Sequence, residues 1–194
     1  MNVNICPFAG YFRAIATVAA VTVTVAAGLL LAAGPTRLMA QDQAAPKEFT
    51  KPVIDIGIVA REVEKSAKFY LEAIGFTEVA GFSVTGELGR KIGLIDNHPV
   101  KIRVFVLGQG DLATRIKLMS FPEAPGKTAD QNFIHSTIGI RYLTLYVASA
   151  DKALERLKKA NVKTIGETPV DLGNGVRLIA VRDPDGNFIE LICP

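Results

Sequence analysis

The chain has 194 residues, 49% of them hydrophobic and 21% charged, with 22 basic against 19 acidic side chains. That balance suits an ordinary globular domain. It excludes low-complexity and nucleic-acid-binding classes, because basic residues alternate with acids and no aromatic-basic stripe appears. Of two cysteines, Cys6 lies in the N-terminal segment and Cys193 is the penultimate residue, so no internal disulfide framework is expected.

Residues 1–40 hold no Asp or Glu, and only Arg13 and Arg37 are basic. The run from Ala14 to Ala33 carries no charge and is followed by Gly34-Pro35 and Leu38-Met39-Ala40. A basic-flanked apolar run before a small-residue site reads as a secretory signal with cleavage after Ala40. The competing reading is an uncleaved helix anchoring the chain to the inner membrane, since such a run could also span a bilayer. Either way the expected location is outside the cytoplasm, periplasmic or extracellular, with membrane contact only if residues 14–33 remain. Residues 41–52 are polar with two prolines and read as a disordered spacer.

Residues 53–60 (VIDIGIVA) are β-rich. Val63, Ala67, Tyr70, Leu71 and Ile74 then recur at helical spacing, and Gly75 supplies the stop. Three more β-type runs cover 77–84, 100–107 and 115–121, with 81–97 read as loop. The segment 123–132 (EAPGKTADQN) is a linker. The order then begins again: a strand over 140–147, a helix capped by Ser149, a weaker strand over 162–169, a turn at Leu172–Gly175, and strands over 176–181 and 188–193. Between the last two strands, Asp183-Pro184-Asp185-Gly186-Asn187 combines a φ-fixing proline with residues that accept φ > 0, so the chain reverses there.

The repeat extends to residue register. Sliding Asp55 onto Tyr142 carries Glu64-Lys65 onto Asp151-Lys152 and Tyr70 onto Leu157, and a separate offset places Lys117 on Glu190. Two βαβββ modules follow, 53–122 and 136–193. Strand parity puts Asp55, Gly57 and Val59 on the face away from the helix, with Arg115, Lys117, Met119 and Phe121, Tyr142, Thr144 and Tyr146, and Phe188, Glu190 and Ile192 on the matching faces of the other strands.

A terminal hairpin reading DPDGN-x-x-E-L, with VIDIGIVAREVEKSAKFYLEAIGF as the opening strand and helix, resembles the vicinal oxygen chelate superfamily of glyoxalases, bleomycin-resistance proteins and extradiol dioxygenases. The resemblance covers 53–193. It implies an α+β fold in which two tandem βαβββ modules form an open, curled mixed-sheet barrel, and a homodimer made by pairing or exchanging modules. It also implies a divalent metal held by a His, a Glu or Gln, a second His and a Glu, one from each of four strands. Carried over residue by residue, those positions are Asp55, Lys117, Tyr142 and Glu190.

Only Glu190 keeps the family's residue. Asp55 and Glu190 remain able to ligate a hard cation, but an ammonium at Lys117 has no lone pair to offer. The expectation is therefore no cofactor. Lys117 stands in for the metal charge, paired with Asp55 and Glu190, with the Tyr142 hydroxyl nearby. The bland reading of Lys117 is a side chain that snorkels to water. His98 in DNHP reads as surface loop, and His135 sits ahead of the fifth strand.

Two functions stay open. One is an exported binding module for a small molecule in the barrel cleft. The other is a lyase, isomerase or dioxygenase of the superfamily, lactoylglutathione-lyase-like. It would be metal-dependent, or metal-free with Glu190 or Asp55 as base and Lys117 or Tyr142 steadying an oxyanion.

Overall fold

The computed structural model describes residues 48–194, so the apolar N-terminal run and most of the spacer lie outside the described residues. Among the described residues no helix is long and apolar enough to cross a membrane. The chain runs β1 (Asp55–Val59), α1 (Val63–Lys68), β2 (Thr77–Val84), α2 (Gly86–Lys91), β3 (Val100–Leu107), β4 (Thr114–Met119), β5 (Tyr142–Tyr146), α3 (Ala150–Lys159), β6 (Val170–Gly173), β7 (Val176–Arg182) and β8 (Phe188–Cys193). Two four-stranded sheets result, ordered β1-β4-β3-β2 and β5-β8-β7-β6.

In each sheet the first and last strands of a module pair in parallel and the rest are antiparallel. Gly57 faces Lys117 across β1 and β4, as Thr144 faces Glu190 across β5 and β8. The duplication read from the sequence is thus also a duplication of register. Lys117 occupies in the first sheet the place Glu190 occupies in the second.

Both sheets bury one face in a single core. Phe105, Ile116 and Leu118 of the first module meet Ile179, Ile189 and Leu191 of the second there, around Tyr70 and Leu157 from the two helices. Arg156 of α3 donates from Nε to the Ala73 carbonyl at 3.0 Å, tying the helices together. The alternate residues therefore point away from this core, and they form the outer faces on which the candidate site lies.

Four local features depart from the expected pattern. After α1 the helix widens into a π-helical segment, Phe69–Ile74. Gly75 N and Phe76 N both bond to Tyr70 O, at 3.0 and 2.9 Å, and the wider turn sends Phe69, Tyr70, Ala73 and Ile74 all into the core. Gly75, at φ 95°, ends it as expected.

Second, the presumed loop between β2 and β3 contains α2, capped by Thr85 Oγ1 accepting from Leu88 N at 3.2 Å. Gly89 is required there: a Cβ would lie 2.9 Å from Ile95 Cβ, and Ile95 is the residue that packs this segment on Val100, Ile102 and Val104. Third, the strand expected over 162–169 is reduced to a single Thr164–Val181 bridge, and the ladder begins at Val170. Gly166 at φ 63° and Pro169, which has no N–H, interrupt the earlier run. The reversal is then the two residues Asn174 and Gly175, both at positive φ, as a tight hairpin demands. Fourth, a short 3-10 turn over Ile134–Ser136 precedes β5.

Candidate functional site: two half-sites on the outer sheet faces

Lys117 Nζ lies 2.8 Å from Asp55 Oδ2, and each side chain keeps 32% of its surface in solvent. The pair forms because β1 and β4 are parallel neighbours with Gly57 opposite Lys117, so that Asp55 lies one same-face position along β1 from the residue Lys117 faces. At one end of the pair, Asp55 and Arg115 border a cavity of about 330 Å³ with Lys51 and Asp111, themselves 3.5 Å apart.

On the second sheet, Glu190 accepts a hydrogen bond from Thr144 Oγ1 at 2.8 Å. Tyr142 and Tyr146 flank it on the same face, 48% and 81% exposed. The neutral hydroxyl of Thr144 is thus the partner of a carboxylate set in an otherwise apolar strand. Arg182, which the sequence reading missed, shares this face. Its guanidinium lies 4.5 Å from the centre of the Phe188 ring, and Nη2 donates to the Asn132 carbonyl at 3.0 Å. Its only sequence signal is parity, since it lies directly across from Phe188 in the β7–β8 ladder.

The four expected positions therefore come together as two pairs. Lys117 pairs with Asp55, but among the described residues no ion pair joins it to Glu190. The reason is architectural: the sheets share a core through their inner faces, which turns Asp55–Lys117 and Thr144–Glu190 outward on separate surfaces. His98 stands in the loop before β3, 3.5 Å from Asp96, and His135 stacks on Phe133 with ring centres 5.5 Å apart. Neither is paired with the four positions in the structure.

The turn before β8 fixes one half-site relative to the other. Asp183 Oδ1 accepts from the backbone N–H groups of Asp185 and Asn187 at 3.0 and 2.8 Å. Its Oδ2 accepts from Tyr70 Oη at 3.0 Å and Asn187 Nδ2 at 2.8 Å. Asp185 in turn accepts from Arg61 N and from Ser66 Oγ, both at 3.0 Å. The last turn of the second module is thus bolted to the strand-to-helix junction of the first. Burial pushes the Asp183 carboxyl above the usual range even though its donors pull the other way. Burial first, and then the adjacent Asp183 charge, raises the Tyr70 phenol.

Residues 53–191 match the family model of the Glyoxalase/Bleomycin resistance protein/Dioxygenase superfamily. The chain belongs to this superfamily. Among solved structures it is similar to a glyoxalase family protein from Bacillus cereus, at 28% identity and a TM-score of 0.60, over 77% of this chain and 98% of that one. It is also similar to a glyoxylase/bleomycin resistance protein/dioxygenase domain from Frankia, at 18% identity and a TM-score of 0.52, over 77% and 93% of the two chains. An antibiotic binding protein from Streptomyces matches at 22% identity and a TM-score of 0.47, over 77% and 99%. No curated protein matches the sequence.

The superfamily's metal positions can now be tested against this donor set. One is an ammonium already 2.8 Å from the nearest carboxylate, and the other acid stands on a different sheet bound to a hydroxyl. Among the described residues, no three His, Cys, Asp or Glu side chains cluster closely enough to hold an ion. The residues present do not fit a divalent metal, because a lysine at the second position adds a positive charge and subtracts a ligand.

Proposed function

We propose that this chain is an exported, metal-independent member of the superfamily that binds a small molecule over the outer sheet faces. The observation that carries this reading is the Lys117–Asp55 contact at 2.8 Å. It places a cation, held by the protein itself, at the position that the resemblance assigns to a metal ligand. Beside it the ligand would find apolar Val59 and Met119, and on the other sheet Tyr142, Tyr146 and Phe188 around Glu190. A mostly apolar surface with a few convergent polar groups is the usual character of small-molecule sites. The assignment to export rests on the composition of residues 1–40.

The same reading takes a homodimer as the working form. Among the described residues β1 and β5 each end a sheet, with no further strand paired to their outer hydrogen-bonding edges. Exposed apolar side chains gather at those edges: Ile54 and Val59 beside one, Ile138, Ile140, Tyr142 and Tyr146 beside the other. A two-fold partner that set its β5 against this β1 would cover both. It would also bring Glu190 of one copy toward Lys117 of the other, assembling from two chains the cluster that one chain divides.

Metal analysis of protein purified without chelators, combined with a chelator melt and the sedimentation mass, tests this. Metal-free protein, an unchanged melting temperature and a dimer mass are expected. Stoichiometric metal, or loss of stability on chelation, would sink the metal-independent reading. A monomer mass would sink the shared cleft. The N-terminal residue of the secreted chain settles whether cleavage follows Ala40.

A further inference from the structure

We propose that the cleft between the module linker and the last turn is a second binding site, which takes a small organic anion carrying an apolar body. It is distinct from the half-sites of the outer faces, since Lys117, Tyr142 and Glu190 do not line it, and Val59 at the end of β1 is the residue the two share.

The cleft has a volume of about 550 Å³, within the range of sites for drug-sized ligands. Both modules build it. Val59 and Phe121, beside the ends of β1 and β4, supply an apolar floor with Pro122. The linker forms one wall and the Asp183–Asn187 turn the other.

These walls are fixed rather than loose. Gln131 donates from Nε2 to Asn187 Oδ1 at 3.3 Å and accepts from Arg141 Nη2 at 2.6 Å. Gly186 lets it lie flat on the turn, since a Cβ there would come within 3.2 Å of Gln131 Cγ. A cleft whose two walls are tied together through Gln131 is partly organised before a ligand arrives, which lowers the entropy cost of binding.

The charge of the cleft sets the ligand class. Arg61 and Lys127 both line it, and among the described residues neither is ion-paired with a carboxylate. The Arg61 guanidinium uses one N–H on Thr128 Oγ1, leaving the rest of its fork open to an acceptor. The one acid in the wall, Asp185, already has an oxygen on Arg61 N and the other on Ser66 Oγ. Two cations against one occupied carboxylate, over an apolar floor, select an anion with a hydrocarbon body and disfavour a neutral one of the same shape.

Titrating the ¹⁵N-labelled full-length chain with sodium 1-naphthoate, and separately with neutral 1-naphthamide, tests this by amide shifts. Saturable shifts are expected at Arg61, at residues 127–131 and at residues 185–187, with the amide binding about tenfold more weakly and Arg61→Gln losing a similar factor. Arg61→Lys should keep most of the affinity, and Ala129→Trp should block the cleft without changing charge. The last two variants decide the matter if Arg61→Gln fails to fold. Absence of saturation, equal binding of acid and amide, unchanged binding in Ala129→Trp, or shifts confined to the strands bearing Lys117 and Glu190 would each overturn the proposal.

Discussion

The two modules share one framework and differ in almost everything placed on it. In the first, Lys117 neutralises Asp55 and the segment carrying α2 and Ile95 folds over part of the outer face. In the second, the partner of Glu190 among the described residues is the Thr144 hydroxyl, Tyr146 stands open, and the corresponding connection is the two-residue Asn174-Gly175 turn. Inside the core the equivalent helix position is Tyr70 in one and Leu157 in the other. Duplication supplies the register; the chemistry comes from where the copies have diverged.

The core difference should produce the largest effect. Tyr70→Leu would make the first helix like the second, removing a ring with no solvent exposure and one donor from the buried Asp183. Urea denaturation should show a loss of about 3 kcal/mol, the cavity and the missing hydrogen bond acting together. A loss below about 1 kcal/mol would mean the cross-module contact is incidental.

Next in size is the contrast between covered and open faces. Tyr146→Glu puts a charge on the face proposed to meet a second copy. Dimer dissociation measured by sedimentation should rise tenfold or more, about 1.4 kcal/mol, while the melting of the monomer is nearly unchanged. If the mass is insensitive to this substitution, the open face of the second module has another role.

Lys117→Met erases the electrostatic difference between the half-sites. Both partners are about one-third exposed, so water screens the pair, and the stability cost should be about 1 kcal/mol or less. Ligand binding should fall more than stability does. The reverse order would make the ion pair a structural feature only.

The smallest effect is a titration of opposite sign in the two modules. In the first, the hydrogen bond from Arg103 leads in holding Glu78 below the usual carboxylate range, so its contribution to stability is present at neutral pH and is lost as pH falls through that lowered value. In the second, burial holds Asp183 high, so its contribution is full in acid, below the ordinary range, and is lost as pH rises through the raised value. Carboxyl carbon shifts followed from acid to neutral pH should place the Asp183 midpoint above that of an ordinary aspartate and the Glu78 midpoint below that of an ordinary glutamate. Midpoints in the opposite order would remove this asymmetry.

Most of the framework was legible because its signals are local. Period-two runs marked the strands, Gly75 and Ser149 marked helix ends, and the Asp183–Asn187 turn announced the last hairpin. The offset that put Lys117 in Glu190's place is the register that the ladders show. What stayed hidden depends on distant partners. α2 contains Gly86 and Gly89, poor helix formers that are tolerated because Asn97 and Ile95 close on them. The π-helical widening follows from burial of Tyr70 and its neighbours, which no helical spacing reveals. Parity correctly told which face each site residue takes. It could not tell how the faces of the two sheets sit with respect to each other. The expectation that Lys117 meets Glu190 within one chain came from the resemblance, whereas the structure pairs Lys117 with Asp55 and Glu190 with Thr144.

The Tyr70 to Asp183 hydrogen bond joins residues 113 positions apart. Everything from the first helix to the last hairpin must be in place before that hydroxyl meets its acceptor. Until then the opening half presents an unfinished, sticky helix surface, and such long-range closure slows folding. The contact that locks the first helix to the second module is thus among those that wait longest for their partner.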